Sequence, residues 1–140
     1  MKYVGDAPDG KTWFRLESEA EAEQESASMG HAVAKHFLRA MAAAQRSYTP
    51  TSAVSFEANI GLKAHLQREM PLFVTLRDME GAPHVTGMLP PGGQDDPRFR
   101  TIIVGQDNTD PYIDYADAIE ALETILGLSL DRTHCYPYGR

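Results

Sequence analysis

Alternating apolar and polar positions at the amino end of the chain predict a β-hairpin over residues 2–16. Two short apolar runs flank an Ala-Pro-Asp-Gly segment, a composition that is typical of a tight turn. On the second strand, Trp13 and Arg15 point to one side and Phe14 and Leu16 to the other. The large side chain of Trp13 therefore indicates a second surface of the sheet that is also covered.

The apolar residues that follow recur with the period of an α-helix, and this spacing predicts one long helix over residues 18–46. Ser18 and Glu21 form a capping box, in which the hydroxyl accepts from the Glu21 amide and the carboxylate reaches back to the Ser18 amide. The second half of this helix is apolar on two sides, which is typical of a helix covered on both. The extra apolar side, our candidate for a subunit interface, consists of Ala27, Ala34, Leu38 and Met41.

The rest of the chain gives weaker helical signals and clearer strands. Residues 56–70 are compatible with a helix, although Gly61 lowers its stability by about 1 kcal/mol relative to alanine. Apolar runs within 72–104 predict a second hairpin and a further strand. A last helix is expected over 114–127, with Asp114 as its amino-terminal cap, followed by a tail, 128–140, whose aromatic residues indicate packing on the body.

These elements predict a single α+β domain. Because the strands cluster in hairpins, we expect an antiparallel sheet of about four to five strands. The long helix and the carboxyl-terminal helix are expected to pack together on one face of that sheet.

Composition narrows the function classes. The net charge of −7 disfavours a general nucleic-acid binder and docking on anionic lipid. No apolar run approaches the roughly 20 residues of a membrane span, and the amino end shows no apolar signal core. A cytoplasmic location is the resulting expectation. A single cysteine, Cys135, excludes an internal disulfide and a cysteine-rich zinc site.

Neither a metal site nor a cofactor motif emerges from the sequence. None of the five histidines pair at the His-x-x-x-His spacing, and His36, beside the apolar stripe of the long helix, is interpreted as a core-edge histidine. The acidic residues within 107–117 lack the alternating ligands and glycine of an EF-hand loop. His134 and Cys135 are adjacent and point apart, so they do not form a nucleophile–base pair by themselves.

The loop over residues 90–97 is the candidate functional surface. Arg98 and Arg100 follow it and could hold a carboxylate or a phosphate, with His84 as a further polar group. The competing interpretation, which we favour at this stage, is that the two arginines pair with Asp95 and Asp96.

Three functional hypotheses remain. The leading one is association, as a homodimer formed through the long helix. The alternative is a small-anion-binding protein or enzyme with a cleft near residues 84–100, for which the ligand-binding residues would be His84, Arg98 and Arg100. A third is an acidic inhibitor that occupies a basic partner. No catalytic constellation is evident, and no metal or cofactor is predicted.

Overall fold

Five antiparallel strands form one meandering sheet in the order β1-β2-β3-β4-β5. A computed structural model describes residues 1–50 and 55–136. The strands are β1 Lys2–Asp6, β2 Thr12–Arg15, β3 Leu72–Arg77, β4 Pro83–Leu89 and β5 Ile102–Val104. The predicted hairpin over residues 2–16 is confirmed, and its turn places Asp9 and Gly10 at positive φ.

The described residues form four α-helices beside the sheet. They are α1 Glu19–Met29, α2 Val33–Ser47, α3 Ser55–Glu69 and α4 Tyr112–Leu126. The predicted α+β class with an antiparallel sheet of hairpin-connected strands is therefore confirmed. Short 3-10 helices at Gln106–Asn108 and Arg132–His134 follow β5 and α4.

The prediction of one continuous helix over 18–46 is wrong. The chain breaks after Met29, and the second helix begins at Val33. Gly30 adopts the left-handed conformation, with φ of 68°, and its amide donates to the Ser26 carbonyl, as in a standard helix end. A glycine in this conformation carries no side-chain penalty, so the break occurs where the sequence permits it.

The amino-terminal cap at Ser18 is confirmed, but the second hydrogen bond of the predicted capping box differs. The Ser18 hydroxyl accepts from the Glu21 amide at 3.2 Å. The Glu21 carboxylate accepts from the Glu17 amide at 2.8 Å rather than from that of Ser18, and it also contacts the amino terminus. The side chain thus still satisfies a free backbone donor, one residue earlier than predicted.

Two apolar cores lie on opposite faces of the sheet. Along β3, Phe73 packs with α1 and α2, whereas Val74 and Leu76 pack with α4. The expectation that the two main helices share one face is therefore wrong. Since β3 is apolar on both sides, each face needs its own cover. Trp13 belongs to the α4 side, where its Nε1 donates to the Ala118 carbonyl at 2.8 Å.

A buried ionic network joins α1 to the sheet. The Glu25 carboxylate is fully buried and accepts from Arg77 and from the Thr86 hydroxyl. Arg77 also donates to the Thr75 hydroxyl at 3.0 Å, and a His31 ring nitrogen lies 2.9 Å from the Thr86 oxygen. Each buried charge therefore has partners, as burial requires.

The helix within 56–70 is continuous, because α3 runs unbroken past Gly61. The missing side chain at Gly61 makes room for the Tyr48 hydroxyl, which a Cβ atom there would overlap. Gly61 therefore lowers the helix stability of α3 and at the same time permits a close contact between α3 and the segment after α2.

The carboxyl-terminal helix begins two residues earlier than predicted. Asp114 is not its cap. Instead, Asp110 accepts from the Tyr112 amide at 2.8 Å, and Gly127 closes the helix with φ of 66°. In the described part of the tail, Tyr136 pairs with Ile102 in a parallel bridge. The remaining tail, residues 137–140, lies outside the described residues.

Candidate functional site

A cleft of about 270 Å³ opens where α2, β5 and the described end of the tail meet. We call it the Arg100 cleft. Six of the residues that line it are Val33, His36, Arg100, Ile102, Asn108 and Tyr136. Its wall thus combines a guanidinium, an imidazole and an amide with two aliphatic side chains and an aromatic ring.

Arg100 supplies the fixed charge of this cleft. It lies two residues before β5, and its guanidinium carbon is 5.4 Å from the centre of the Tyr136 ring. Tyr136 is itself held on the edge of β5, since its amide donates to the Thr101 carbonyl at 2.9 Å and its carbonyl accepts from Ile103 at 3.2 Å. Arg100 makes no ion pair with any described residue.

His36 comes from α2 and is half-buried. Burial lowers the pKa of its imidazole below the ordinary 6.5, and the nearby Arg39 guanidinium lowers that pKa further. Both effects favour the neutral form of the His36 ring in the free protein. An anion bound between His36 and Arg100 would oppose both effects and favour the protonated ring.

Asn108 reaches the cleft from the loop after β5. Asp107 and Asn108 both adopt positive φ, 54° and 61°, a conformation that asparagine and aspartate tolerate better than other side chains do. Hydrogen bonds fix the loop: the Gly105 backbone amide donates to the Thr109 carbonyl at 2.9 Å, and the Gln106 side-chain amide donates to the Ser28 carbonyl of α1 at 3.3 Å.

The first amides of α2 do not contribute free donors, although the helix begins at the cleft. The Val33 amide donates to the His31 ring at 3.3 Å, that of Ala34 to the Ser26 hydroxyl at 2.9 Å, and that of Lys35 to the Ala32 carbonyl at 3.0 Å. The start of α2 therefore offers none of these three amides to a ligand.

The polar groups that line the cleft are an arginine, a histidine and a side-chain amide, together with the Tyr136 hydroxyl. The described lining residues include no carboxylate and no thiol, so the cleft offers neither a carboxylate base nor a sulfur nucleophile. Arginine, a histidine and an amide are instead the groups that hold carboxylates and phosphates.

The two candidate arginines have different surroundings. Arg98 is bound by Asp96 through two side-chain hydrogen bonds of 3.0 and 3.1 Å, and by Glu69 at 3.0 Å. This pairing, together with the Arg98 backbone amide, lowers the pKa of Asp96 to about 2. Arg98 is thus an ion-pair partner, as the competing interpretation held, but Asp96 alone supplies the loop carboxylate.

His84 does not join either arginine. Its ring lies at the start of β4, 2.8 Å from the Asp78 carboxylate and 2.9 Å from the Tyr115 hydroxyl. It belongs to a surface cluster that links the β3–β4 turn to α4. Of the four lining residues of the Arg100 cleft that carry a polar group, the sequence analysis named Arg100 as a ligand-binding candidate. It missed His36, Asn108 and Tyr136.

The three missed residues come from separate elements. His36 lies on α2, Asn108 on the loop after β5 and Tyr136 in the tail. Only His36 carried a usable signal, a titratable side chain at the margin of an apolar stripe. Nothing local links any of the three to Arg100.

The four residues predicted as an interface do not form one row. Ala27 is exposed on α1, whereas the other three lie on α2 beyond the helix break. Ala34 and Met41 are half-buried against the core of their own chain, and Leu38 is 38% exposed. Leu38 is therefore the exposed member of the set on α2, and Ala27 is the exposed member on α1.

Cys135 is buried beneath the tail. Burial first, and then the nearby Asp131 carboxylate, raise the pKa of its thiol to about 11, and Gln94 donates to its sulfur at 3.2 Å. The protonated, enclosed thiol is a packing residue.

The described residues contain no group of three or more histidine, cysteine or acidic side chains placed to hold a metal ion. None of their helices has the length and apolar character needed to cross a membrane.

Comparison with known proteins gives no match to a family model, to a curated protein or to a solved structure.

Proposed function

We propose that this protein binds a small organic anion, a phosphate monoester or a carboxylate, in the Arg100 cleft. The observation that carries the proposal is the position of Arg100: its guanidinium stacks on Tyr136, makes no ion pair with a described residue and lines the same cleft as His36. A guanidinium held in place in this way binds an anion with little loss of side-chain freedom.

The remaining wall indicates what the anion is attached to. Val33, Ile102 and the Tyr136 ring offer apolar contact. The cleft volume of about 270 Å³ also exceeds the roughly 150 Å³ of an apolar cavity that admits benzene. A ring or short apolar body that carries one anionic group therefore fits both the size and the chemistry of the site.

The net charge of −7 does not oppose such a site. At physiological ionic strength, charges farther away than about 8–10 Å are largely screened, so the groups that line the cleft dominate the local potential.

A ligand series tests the proposal. Phenyl phosphate and benzoate should raise the melting temperature of the wild type in a saturable way, whereas benzylamine should not. Arg100→Gln should weaken phenyl phosphate binding by roughly tenfold to a hundredfold, since hydrogen bonds to charged groups contribute about 1.5–3 kcal/mol.

Arg98→Gln is the matched control, because Arg98 is already paired with Asp96 and Glu69. It should leave the ligand-induced shift unchanged. Equal shifts in wild type and Arg100→Gln, or no anion-dependent shift at all, would contradict the proposal.

Self-association through α2 is the second candidate, and the exposure of Leu38 favours it. We expect Leu38→Glu to yield a folded monomer if wild type is a dimer, with the exposed Gln45→Glu on the same helix as control. Sedimentation of the wild type as a monomer at high concentration would exclude this candidate. Inhibition of a basic partner stays a prediction from net charge alone.

A further inference from the structure

The side chain of His31, in the segment between α1 and α2, uses both of its ring nitrogens. Its Nδ1 accepts from the Val33 backbone amide at 3.3 Å, and its Nε2 lies 2.9 Å from the Thr86 hydroxyl oxygen. Because a backbone amide only donates, Nδ1 carries no hydrogen, and the neutral ring carries its hydrogen on Nε2. Nε2 therefore donates to Thr86, whose hydroxyl donates to the buried Glu25 carboxylate.

His31 thereby caps the amino end of α2. Ala32, the residue before the helix, makes no side-chain hydrogen bond that caps it. Two side chains that precede the helix accept from its first amides instead: the His31 ring from Val33, and the Ser26 hydroxyl from Ala34 at 2.9 Å. Val33 also lines the Arg100 cleft, so the turn that His31 caps forms one wall of that cleft.

We propose that His31 is a pH switch for the start of α2, in which protonation of Nδ1 releases the Val33 amide and loosens the first helical turn. A proton on Nδ1 removes the lone pair that accepts from Val33 and sets one N–H group against another. The hydrogen bond from Nε2 to Thr86 survives, because both nitrogens donate in the charged ring. The change therefore affects the cap of α2 and leaves the buried network around Glu25 in place.

Charged and titratable groups from four elements surround the His31 ring. They are Glu25 on α1, Arg77 on β3, Asp107 on the loop after β5 and His36 on α2. Burial lowers the pKa of the His31 ring below the ordinary 6.5, and the Glu25 carboxylate and a backbone hydrogen bond of His31 offset part of that shift. The cap is therefore present in the neutral ring and is lost as the pH falls through this lowered pKa.

The switch acts on the Arg100 cleft from outside its described lining, to which His31 does not belong. Any consequence for ligand binding rests on the function proposed above. The movement of α2 itself is measurable in the protein without a ligand, so either proposal can fail while the other stands.

Nitrogen-15 NMR of the wild type measures the switch directly. At neutral pH, Nδ1 of His31 should give the signal of an unprotonated nitrogen and Nε2 that of a protonated one. On acidification, the Val33 amide signal should move with the same midpoint as the ring. Hydrogen exchange in the first turn of α2 should then accelerate by roughly threefold to thirtyfold relative to the intrinsic rate, the range expected for the loss of one cap. A ring that takes up no proton before the protein unfolds, or a Val33 signal that does not follow the ring, would overturn the proposal.

Two variants separate the roles of the two ring nitrogens. In His31→Asn, the side-chain oxygen replaces Nδ1 and accepts from Val33 at every pH, so the transition of the Val33 signal should vanish. In His31→Gln, the side-chain amide replaces Nε2 and leaves Val33 without its acceptor, so exchange in the first turn should be fast already at neutral pH. His36→Asn, on the same helix, is the matched control and should keep the transition. A transition that persists in His31→Asn, or that disappears in His36→Asn, would show that His31 is not the switch, and the wild-type titration decides where a variant fails to fold.

Discussion

Arg98 and Arg100 lie two positions apart and have different roles, because their side chains contact different partners. Asp96, with its side chain 3% exposed, accepts from the Gly92 amide at 3.1 Å and from the Arg98 amide at 2.9 Å. This loop-held carboxylate engages the Arg98 side chain. Arg100 lies beyond its reach and stacks on Tyr136, a residue far away in sequence. Identical side chains therefore differ in availability because of neighbours that the local sequence does not show.

The Asp96–Arg98 pair predicts an acid-dependent contribution to stability. Arg98 holds the pKa of Asp96 at about 2, below the ordinary 3.8, so its stabilising effect is present above 3.8 and is lost as the pH falls toward 2. Urea midpoints of wild type and Asp96→Asn should differ at neutral pH and converge at low pH. The exposed neighbour Asp95→Asn serves as control and should show no such convergence. A difference that is independent of pH would contradict the pairing.

The helices and strands follow the pattern of apolar positions along the chain. That pattern does not reveal a helix break when the apolar positions before and after it stay in the same helical phase. Met29 and Val33 are both buried although the helix stops between them, so the period alone predicted continuity over residues 18–46. Gly30 marked the break. A single glycine inside an apolar stripe lowers helix stability by only about 1 kcal/mol, so Gly30 by itself does not predict that the helix ends there.

Gly30 and Gly127 allow a matched test of the α1–α2 junction. Both end a helix at positive φ, 68° and 66°. A Cβ on Gly30 would collide with the Asp107 carboxylate, whereas no atom lies within 4 Å of one on Gly127. Gly127→Ala should cost about 1 kcal/mol of unfolding free energy, and Gly30→Ala measurably more. Chemical denaturation measures both, and equal losses would show that the junction tolerates the added atom.

At the scale of the whole molecule, the sequence predicted the two hairpins better than the layers. The β1–β2 and β3–β4 hairpins form because short turns connect their strands, and both turns lie where they were expected. Two observations indicated cover on both faces of the sheet, namely Trp13 opposite Leu16 and the uninterrupted apolar run of β3. The Arg100 cleft was only partly predictable, because four separate segments meet there and only tertiary contacts bring them together.

The buried charge of Glu25 should make α1 an integral part of the sheet assembly. Removing one partner of a buried ion pair typically costs about 3–5 kcal/mol, and Arg77 is largely enclosed, with 13% of its side chain exposed. Glu25→Gln should therefore lower the unfolding free energy by about 3 kcal/mol. Glu23→Gln, exposed on the same helix, should change it by less than about 0.5 kcal/mol. Similar effects of the two substitutions would contradict the buried network.

The titration of His36 by NMR tests the central claim, that the Arg100 cleft holds an organic anion, most directly. In the free protein, burial and Arg39 keep the pKa of His36 below 6.5. Saturating phenyl phosphate should raise that pKa, because the bound anion favours the protonated ring. Benzyl alcohol should produce no change, and the effect should vanish in Arg100→Gln. A His36 pKa that phenyl phosphate leaves unaltered in wild type would contradict the claim.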